Sequence, residues 1–390
     1  MLSKPMYNIK IKNGQDLYGL KQFKLRPDIM DPTLLRTKLI SDIRNRVGIK
    51  SISANYSLLY INDQFMGLYI LTDLINLSWI KNTYCEKKTS TLYKCDRLDD
   101  FTLDYSDGCK NKNEEITDHT EWINFLKSIE NAKSASDLEA IFDIDHFLYE
   151  MAIDYLTSAT DHKYHNFYMY KQPNDKWAYI SYDFDLDFIY DDDTFDISDE
   201  EYIKTIAGKG RLYDILISQD HERFNTILKD VVNRVYNPAI LFPHIDEIKQ
   251  FIKPYVILDK TPDSNGKYPG TINENIIYKA IYTIDEWDEY SELTISNNDI
   301  GLKYLILMKY KNVCNTQKME CDPIYMDENY LSNNLKFMKG NHHKDHNEYN
   351  SSITEYETQT EIRNELFEKE IVYEIDELIF STDDESSFDE

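Results

Sequence analysis

The amino-acid sequence predicts an α+β protein with a small antiparallel sheet near the N-terminus and a larger, mainly helical half after it. Two patterns predict this class. Residues 7–94 are mostly strand-like with one helix-like segment, whereas helical periodicity dominates from about residue 118. With 390 residues, 42% of them hydrophobic, the chain is long and apolar enough to build a sizeable core.

The N-terminal half is predicted to fold as an antiparallel sheet with one packed helix. Four segments are predicted as strands: 7–12, 21–26, 55–63 and 64–73. The helix is predicted to begin at Asp31-Pro32, an N-cap followed by proline at the first helical position, and to end at Gly48. Asn62 and Asp63 are typical residues for the tight turn between the last two strands.

The second half is predicted to be helical, with one pair of strands inside it. Helices are predicted over 119–132, 134–142, 144–159, 211–220, 221–236, 239–259, 273–288 and 296–311. The two strands, 166–171 and 177–185, are separated by a Pro-Asn-Asp turn. We divide the domain 1–335 into a sheet-bearing part, about 1–110, and a helical part, about 111–335. Residues 336–390 are predicted to form an acidic, partly disordered tail with an amphipathic helix over 354–380.

Composition and charge exclude several classes of function. A net charge of -27 would repel DNA or RNA, so we expect no nucleic-acid partner. No apolar stretch is long enough to span a membrane, and the first 14 residues contain no apolar signal-peptide core. The five cysteines are too few for a disulfide scaffold, although Cys314 and Cys321 could close a small loop in a secreted protein.

The acidic and amide residues between 161 and 187 point most sharply to chemistry. Asp161 and Asn166 have the D-x-x-x-x-N spacing of the kinase catalytic loop, and Asp183, Asp185 and Asp187 follow at alternate positions. On a strand, alternate side chains share one face, where three carboxylates favour a bound cation over a solvated edge. The pattern predicts a phosphoryl-transfer site, although the chain contains no G-x-G-x-x-G, H-R-D or D-F-G motif.

Five ordered blocks of the sequence resemble the CotH kinase family of bacterial spore-coat and fungal surface proteins. These blocks are FKLRPDIMDPTLLRTKLISDIRNRVG, LLYINDQFMGLYILTD, TLYKCD, SATDHKYHNFYMYK and WAYISYDFDLDF. The match is close over about residues 20–190 and looser to about 310. Three positions differ from the family pattern, with Asp73 in place of Glu, Tyr182 in place of Trp and Ile189 in place of Gly.

The resemblance implies an atypical kinase-like fold with a cleft between the sheet-bearing and helical halves. It implies a secreted or surface-associated protein kinase that transfers the γ-phosphate of ATP to serine and uses Mg²⁺ or Mn²⁺. Asp161 matches the catalytic Asp, Asn166 its metal-side partner, and Asp183 and Asp185 the paired metal ligands. The substrate would be another protein, or this chain itself.

A cation for the ATP phosphates is also expected. Lys94, with Asp73 as its ion-pair partner, is the first candidate, and Lys24, Arg26 and Arg36 compete with it. An alternative function stays open at this point. The chain could be a catalytically silent CotH-like surface, spore or adhesion protein that binds without turnover.

Overall fold

A computed structural model describes residues 3–12, 14–189, 198–206, 208–272, 282–296, 299–338 and 371–375. It contains both helices and antiparallel sheets, as an α+β class requires. The strands are β1 (Tyr7–Ile11), β2 (Gln22–Arg26), β3 (Ala54–Ile61), β4 (Gln64–Asp73), β5 (Leu92–Cys95), β6 (Cys109–Asn111), β7 (Phe167–Lys171), β8 (Trp177–Ser181), β9 (Thr294–Ile295), β10 (Lys336–Phe337) and β11 (Ile371–Ile375). The helices are α1 (Arg36–Val47), α2 (Leu77–Tyr84), α3 (Thr120–Asn131), α4 (Ile144–Thr157), α5 (Asp199–Glu201), α6 (Gly210–Leu216), α7 (His221–Arg234), α8 (Pro238–Asp259), α9 (Ile284–Ser291), α10 (Leu302–Thr316), α11 (Pro323–Met326) and α12 (Asn329–Asn334).

The first sheet has the strand order β11-β1-β2-β4-β3. Strands β1 to β4 pair antiparallel, as predicted, and β3 and β4 are joined at Asn62 and Asp63. Both turn residues have positive φ, 50° and 61°, which matches the right-handed twist of the two strands.

Strand β11 corrects the prediction for the C-terminal tail. Residues 371–375 lie inside the predicted amphipathic helix 354–380, yet they form a strand that pairs parallel to β1. The sequence IVYEI alternates in a way that suits a strand, and the unpaired edge of β1 offers it hydrogen-bond partners. The remaining residues of that predicted helix lie outside the described part of the chain.

Helix α1 begins later than predicted. Asp31 does not cap a helix that starts at Pro32. Its carboxylate instead accepts hydrogen bonds from the backbone N–H groups of Thr33 and Arg36, at 2.8 and 2.9 Å. Leu34 then takes a positive φ of 57°, so a regular helix starts only at Arg36. The predicted end is confirmed, because Gly48 has φ 91° and closes the helix in the left-handed region.

A second antiparallel sheet, with strand order β6-β5-β7-β8, was not predicted as a unit. Strands β7 and β8 were expected as a pair. Strands β5 and β6 are short; they pair with each other, and β5 also pairs with β7 across more than 50 residues of chain. A disulfide between Cys95 and Cys109 joins β5 to β6. The sheet therefore contains strands from both sides of residue 110, where we placed the boundary between the two parts.

The helical region agrees with the predicted pattern except in three places. The helix predicted over 296–311 begins only at Leu302 and extends to Thr316. Within 134–142, only Ala135–Asp137 forms a 3₁₀ turn, capped by Ser134 and Asp137. The helix predicted over 273–288 is described only from Thr283 onward, where α9 begins at Ile284. One hydrophobic cluster extends from the first sheet through α1, the second sheet and the helices to Cys314, so the two parts share a core. Among the described residues, no helix is both long and apolar enough to cross a membrane.

Candidate active site

The second sheet brings the two acidic segments of the sequence together. Helix α4 ends at Thr157, and the loop that follows leads into β7, whose first residue pairs with the last residue of β8. Directly beyond this pair, the backbone N–H of Tyr182 donates to the carbonyl of Asn166 at 2.9 Å. Asn166 ends the catalytic-type loop and Tyr182 precedes Asp183, so the hairpin register places these segments side by side.

Asp161 is buried and its carboxylate is held on both oxygens. Asn166 Nδ2 donates to one oxygen at 2.8 Å, and His165 Nε2 lies 3.0 Å from the other. Asn166 Nδ2 also contacts the Asp161 carbonyl at 3.2 Å. These contacts fix the direction of the carboxylate, which is what a positioned general base needs. His165 was not among the site residues selected from the sequence, and its position four residues after Asp161 was the only signal for it.

Asn166 and Asp183 both adopt left-handed backbone conformations, with φ of 62° and 72°. Asn and Asp tolerate this region better than most residues, but it still costs free energy and is found often at functional sites. Strained positions therefore coincide with two of the residues selected from the sequence.

Asp183 and Asp185 converge on a single cation, Arg26 of strand β2. The Arg26 guanidinium forms ion pairs with both carboxylates, at 3.2 Å for Asp185, and its Nε lies 2.9 Å from Asp28. Burial lowers the pKa of Arg26, but the three carboxylates outweigh it and raise that pKa well above its usual value. Arg26 therefore joins the segment after β2 to the segment after β8.

Helix α1 adds a second cationic contact. Arg36, its first residue, donates from Nη1 to the carbonyl of Asp185 at 3.2 Å, and its Nε lies 3.5 Å from Asp31. The first sheet and α1 thus supply both arginines, and the segment after β8 supplies Asp183 and Asp185.

Asp187 does not share a face with Asp183 and Asp185, contrary to the prediction. Strand β8 ends at Ser181, and residues 185–188 turn back toward the core. The Asp187 carboxylate is fully buried and accepts a hydrogen bond from the Thr157 hydroxyl at 2.9 Å. The alternation rule fails here because the acidic segment is a turn and not a strand.

Lys94 and Asp73, the predicted ion pair, lie on different sheets and have other partners. Lys94 on β5 pairs with Asp96 at 2.8 Å, and its side chain is about one-third exposed at 34%. Asp73 on β4 accepts from the backbone N–H of Ser53 at 2.9 Å and from Trp79 Nε1 at 3.4 Å. Burial raises the pKa of Asp73, and these donors oppose that rise.

A buried charge network lies beneath the two acidic segments. Arg44 of α1 contacts Glu150 at 3.1 Å and Asp154 at 2.6 Å, both on α4, and Asp154 also contacts His162 at 3.2 Å. All four side chains are essentially inaccessible to solvent. Sequence reasoning missed this network because its members are spread over about 120 residues.

Two further observations concern metal-ligand groups and cavities. Among the described residues, no group of three or more His, Cys, Asp or Glu side chains is arranged to hold a metal ion. Proteins usually bind Mg²⁺ through one or two carboxylates plus substrate phosphates. A cavity of about 390 Å³ lies elsewhere, between α8, α10 and α12, and none of the predicted site residues lines it.

The family model described as CotH kinase protein matches residues 2–290. The chain belongs to the CotH kinase protein family. It is 27% identical to Invasin CotH3 of Rhizopus delemar over 281 residues, covering 64% of this chain and 47% of that protein. It is also 27% identical to Spore coat protein homolog 1 of the same fungus over 290 residues, covering 67% of this chain and 46% of the relative.

A bacterial relative is also similar. The Inner spore coat protein H of Bacillus subtilis is 20% identical over 305 residues, covering 72% of this chain and 83% of that protein. The chain spans about half the length of the fungal relatives that it matches. Membership therefore confirms the resemblance seen in the sequence.

Proposed function

We propose that this protein is an atypical serine kinase that transfers the γ-phosphate of ATP to a protein substrate in the presence of Mg²⁺ or Mn²⁺. One observation carries the proposal. A carboxylate fixed on both oxygens, Asp161, lies in a loop that is hydrogen-bonded to the segment where Asp183 and Asp185 converge. Phosphoryl transfer needs mainly positioning and charge neutralisation, and this arrangement offers both.

The donor atoms near Arg26 fit a magnesium ion. Asp183 and Asp185 offer hard carboxylate oxygens, and Asn166 uses its amide nitrogen on Asp161, which leaves its amide oxygen as the atom to face a metal. A bound Mg²⁺ would neutralise charge on the ATP phosphates.

The chain's own residues would act as follows. Asp161 accepts the proton of the substrate serine hydroxyl, and His165 and Asn166 keep its carboxylate directed. Arg26 is a better candidate than Lys94 for the cation beside the phosphates, because it already lies against the two metal-binding carboxylates. The cleft would lie between β2 with α1 on one side and the loop before β7 on the other.

The proposal is tested by phosphate transfer from γ-labelled ATP to the protein itself and to a serine-rich protein such as casein. We expect Mg²⁺-dependent labelling of serine that falls by at least about 10³-fold in Asp161→Asn and Asp183→Asn. Asp96→Asn, which removes a half-exposed carboxylate directly after β5 of the second sheet, is the matched control and should keep its activity. Equal labelling by wild type and Asp161→Asn would overturn the proposal.

A second candidate function rests on the names of the relatives. Three fungal relatives are named invasins, which favours a surface protein that binds a partner without turnover. In that case calorimetry would detect no binding of ATP with Mg²⁺, and Asp161→Asn would bind cells as well as wild type does. Binding of ATP that is lost in the double variant Asp183→Asn/Asp185→Asn would favour the kinase instead.

A further inference from the structure

His162, the residue directly after Asp161, has a buried ring that contacts both halves of the site. Its Nδ1 lies 3.2 Å from Asp154 Oδ2 on α4, and its Nε2 lies 3.1 Å from the carbonyl oxygen of Tyr182. The edge of the ring faces Phe184, with the ring centroids 5.7 Å apart. The side chain is only 1% exposed, so water does not replace these partners.

The two partners determine the charge of the ring. A backbone carbonyl can only accept a hydrogen bond, so Nε2 must carry a proton. The other oxygen of Asp154 accepts from Arg44 Nη2 at 2.6 Å, as a carboxylate does, so Nδ1 also faces an acceptor. A neutral imidazole has one N–H and would leave one contact without a donor. The geometry therefore requires an imidazolium, which donates on both sides.

The position of His162 gives this charged ring a consequence for the site. Its own backbone follows Asp161, and the carbonyl that it holds belongs to the residue before Asp183. Its backbone carbonyl accepts in turn from the buried Lys209 ammonium at 2.9 Å. The ring thus links the loop of the proposed general base to the segment of the proposed metal ligands.

We propose that His162 is a positioning residue whose charged ring sets the separation of Asp161 from Asp183. This role rests on the proposed kinase function. His162 does not touch the reacting atoms. It acts by holding these two segments from the side of α4, in addition to the β7–β8 pairing and the backbone hydrogen bond between Asn166 and Tyr182. A misplacement of about 1 Å between such groups can cost roughly 10²-fold in rate.

The charged groups that face the ring come from several elements. Arg44 lies on α1, Asp154 on α4, Asp187 after β8, and Lys209 directly before α6. Burial lowers the pKa of His162, but the charges of Asp154 and Asp187 outweigh burial and Arg44 and raise it from 6.5 to about 9. The direction agrees with the hydrogen-bond geometry.

The first test measures the protonation state of the His162 ring by NMR and does not depend on kinase activity. In wild-type protein labelled with ¹⁵N-histidine, the signal that disappears in His162→Gln belongs to His162. We expect both of its ring nitrogens to be protonated at pH 7, and this state to persist until the pH approaches about 9. A neutral ring with one protonated nitrogen at pH 7 would contradict the proposal that His162 holds the two segments as an imidazolium.

The second test separates positioning from binding. We expect His162→Gln to lower kcat by about 10²-fold while KM for ATP changes by less than about threefold. The matched control is His244→Gln, which removes another histidine–aspartate contact, His244 to Asp42 at 2.8 Å, away from the site. Its kcat and KM should both stay within about twofold of wild type.

The outcomes distinguish the two proposals. A wild-type kcat in His162→Gln, or an equal loss in His244→Gln, would overturn the positioning role while the kinase stands. If the wild-type chain transfers no phosphate, the kinase proposal fails, and the role of His162 in transfer fails with it. A neutral His162 ring in an active wild-type chain would contradict the positioning role of the charged ring and leave the kinase proposal intact.

Discussion

At the scale of single residues, Arg26 determines the charge balance of the acidic site. Its buried guanidinium is shared by Asp28, Asp183 and Asp185, which come from segments more than 150 residues apart. Removing one partner of a buried ion cluster leaves the others uncompensated, and this typically costs about 3–5 kcal/mol. Arg26 therefore stabilises the fold and also occupies the place where a metal ion would compete.

Arg26→Gln should consequently lower the free energy of unfolding by about 3 kcal/mol without metal, and Mg²⁺ should restore part of the loss. Thermal unfolding of wild type and variant at increasing MgCl₂ measures both effects. Lys94→Gln is the control, since it breaks a largely exposed ion pair with Asp96 and should behave like wild type. The expectation fails if Mg²⁺ raises the Tm of Arg26→Gln no more than that of wild type.

His162 should make the free energy of unfolding depend on pH, and a comparison of wild type with His162→Gln isolates this dependence. The folded state raises its pKa from 6.5 to about 9, so its contribution is complete below pH 6.5 and is lost as the pH rises through about 9. The shift corresponds to roughly 3 kcal/mol. Lys209 titrates in an overlapping range, because burial lowers its pKa to about 7.

The difference in unfolding free energy between wild type and His162→Gln removes the contribution of Lys209, which both proteins contain. It keeps the contribution of His162 together with its effect on Asp187, whose pKa burial raises to about 7 and the His162 charge lowers. Urea unfolding between about pH 6 and pH 10 should show a difference that is largest at low pH and small at high pH. A difference that stays constant over this range would mean that the ring is not charged.

The sequence predicted the site residues whose contacts are local. Asp161 and Asn166 are five residues apart and touch each other, and Asp183 follows one hairpin later. Arg26 was only one of several competing cations, because its contact with Asp183 depends on how two sheets pack. The pairing of Lys94 with Asp73 was not found, since the strand that carries Lys94 joins the second sheet.

At the scale of elements, strand pairing and helix ends explain what could be predicted. The β3–β4 hairpin was predictable because its turn residues and alternation lie within 20 consecutive residues. The start of α1 was not, because Asp31 can cap a helix or fold back on Thr33 and Arg36 with the same side-chain oxygens. The 3₁₀ turn at Ala135 has a capping box similar to that of a true helix, which explains the overprediction there.

Gly48 provides a direct test of how α1 ends. Its φ of 91° suits glycine, and a Cβ added there would meet no atom within 4 Å. Gly48→Ala should therefore lower the unfolding free energy by about 1–2 kcal/mol through backbone strain alone. Gly210→Ala is the matched control, with equally open space but no positive φ, and should be neutral or slightly stabilising. Equal effects of the two substitutions, measured by urea unfolding, would contradict this assignment.

At the scale of the whole molecule, two disulfides each close a loop, with sequence separations of 14 and 7 residues. Cys95 pairs with Cys109 and Cys314 with Cys321, whereas Cys85 is exposed and free. The second pair was considered from the sequence and the first was not, because its spacing matches no familiar pattern. Disulfides persist in oxidising compartments and are rare in reducing ones.

Each disulfide should stabilise the protein by about 2–3 kcal/mol, since the closed loops are of moderate length. Replacing either pair with serine should lower Tm, and so should a reducing agent on wild type. Cys85→Ser should leave Tm unchanged. If a reducing agent does not shift the wild-type Tm while free-thiol titration shows all five thiols reduced, the disulfides contribute no stability.

The proposed kinase function depends on whether Asp161 and the Asp183–Asp185 pair form a working phosphoryl-transfer site. The most direct measurement is the single-turnover rate of phosphate transfer from γ-labelled ATP, with product serine identified by mass spectrometry. We predict Mg²⁺-dependent phosphoserine in the wild type, a rate at least about 10³-fold lower in Asp161→Asn, and an unchanged rate in Asp96→Asn. Transfer that survives Asp161→Asn, or tight ATP binding with no transfer at all by wild type, would contradict it.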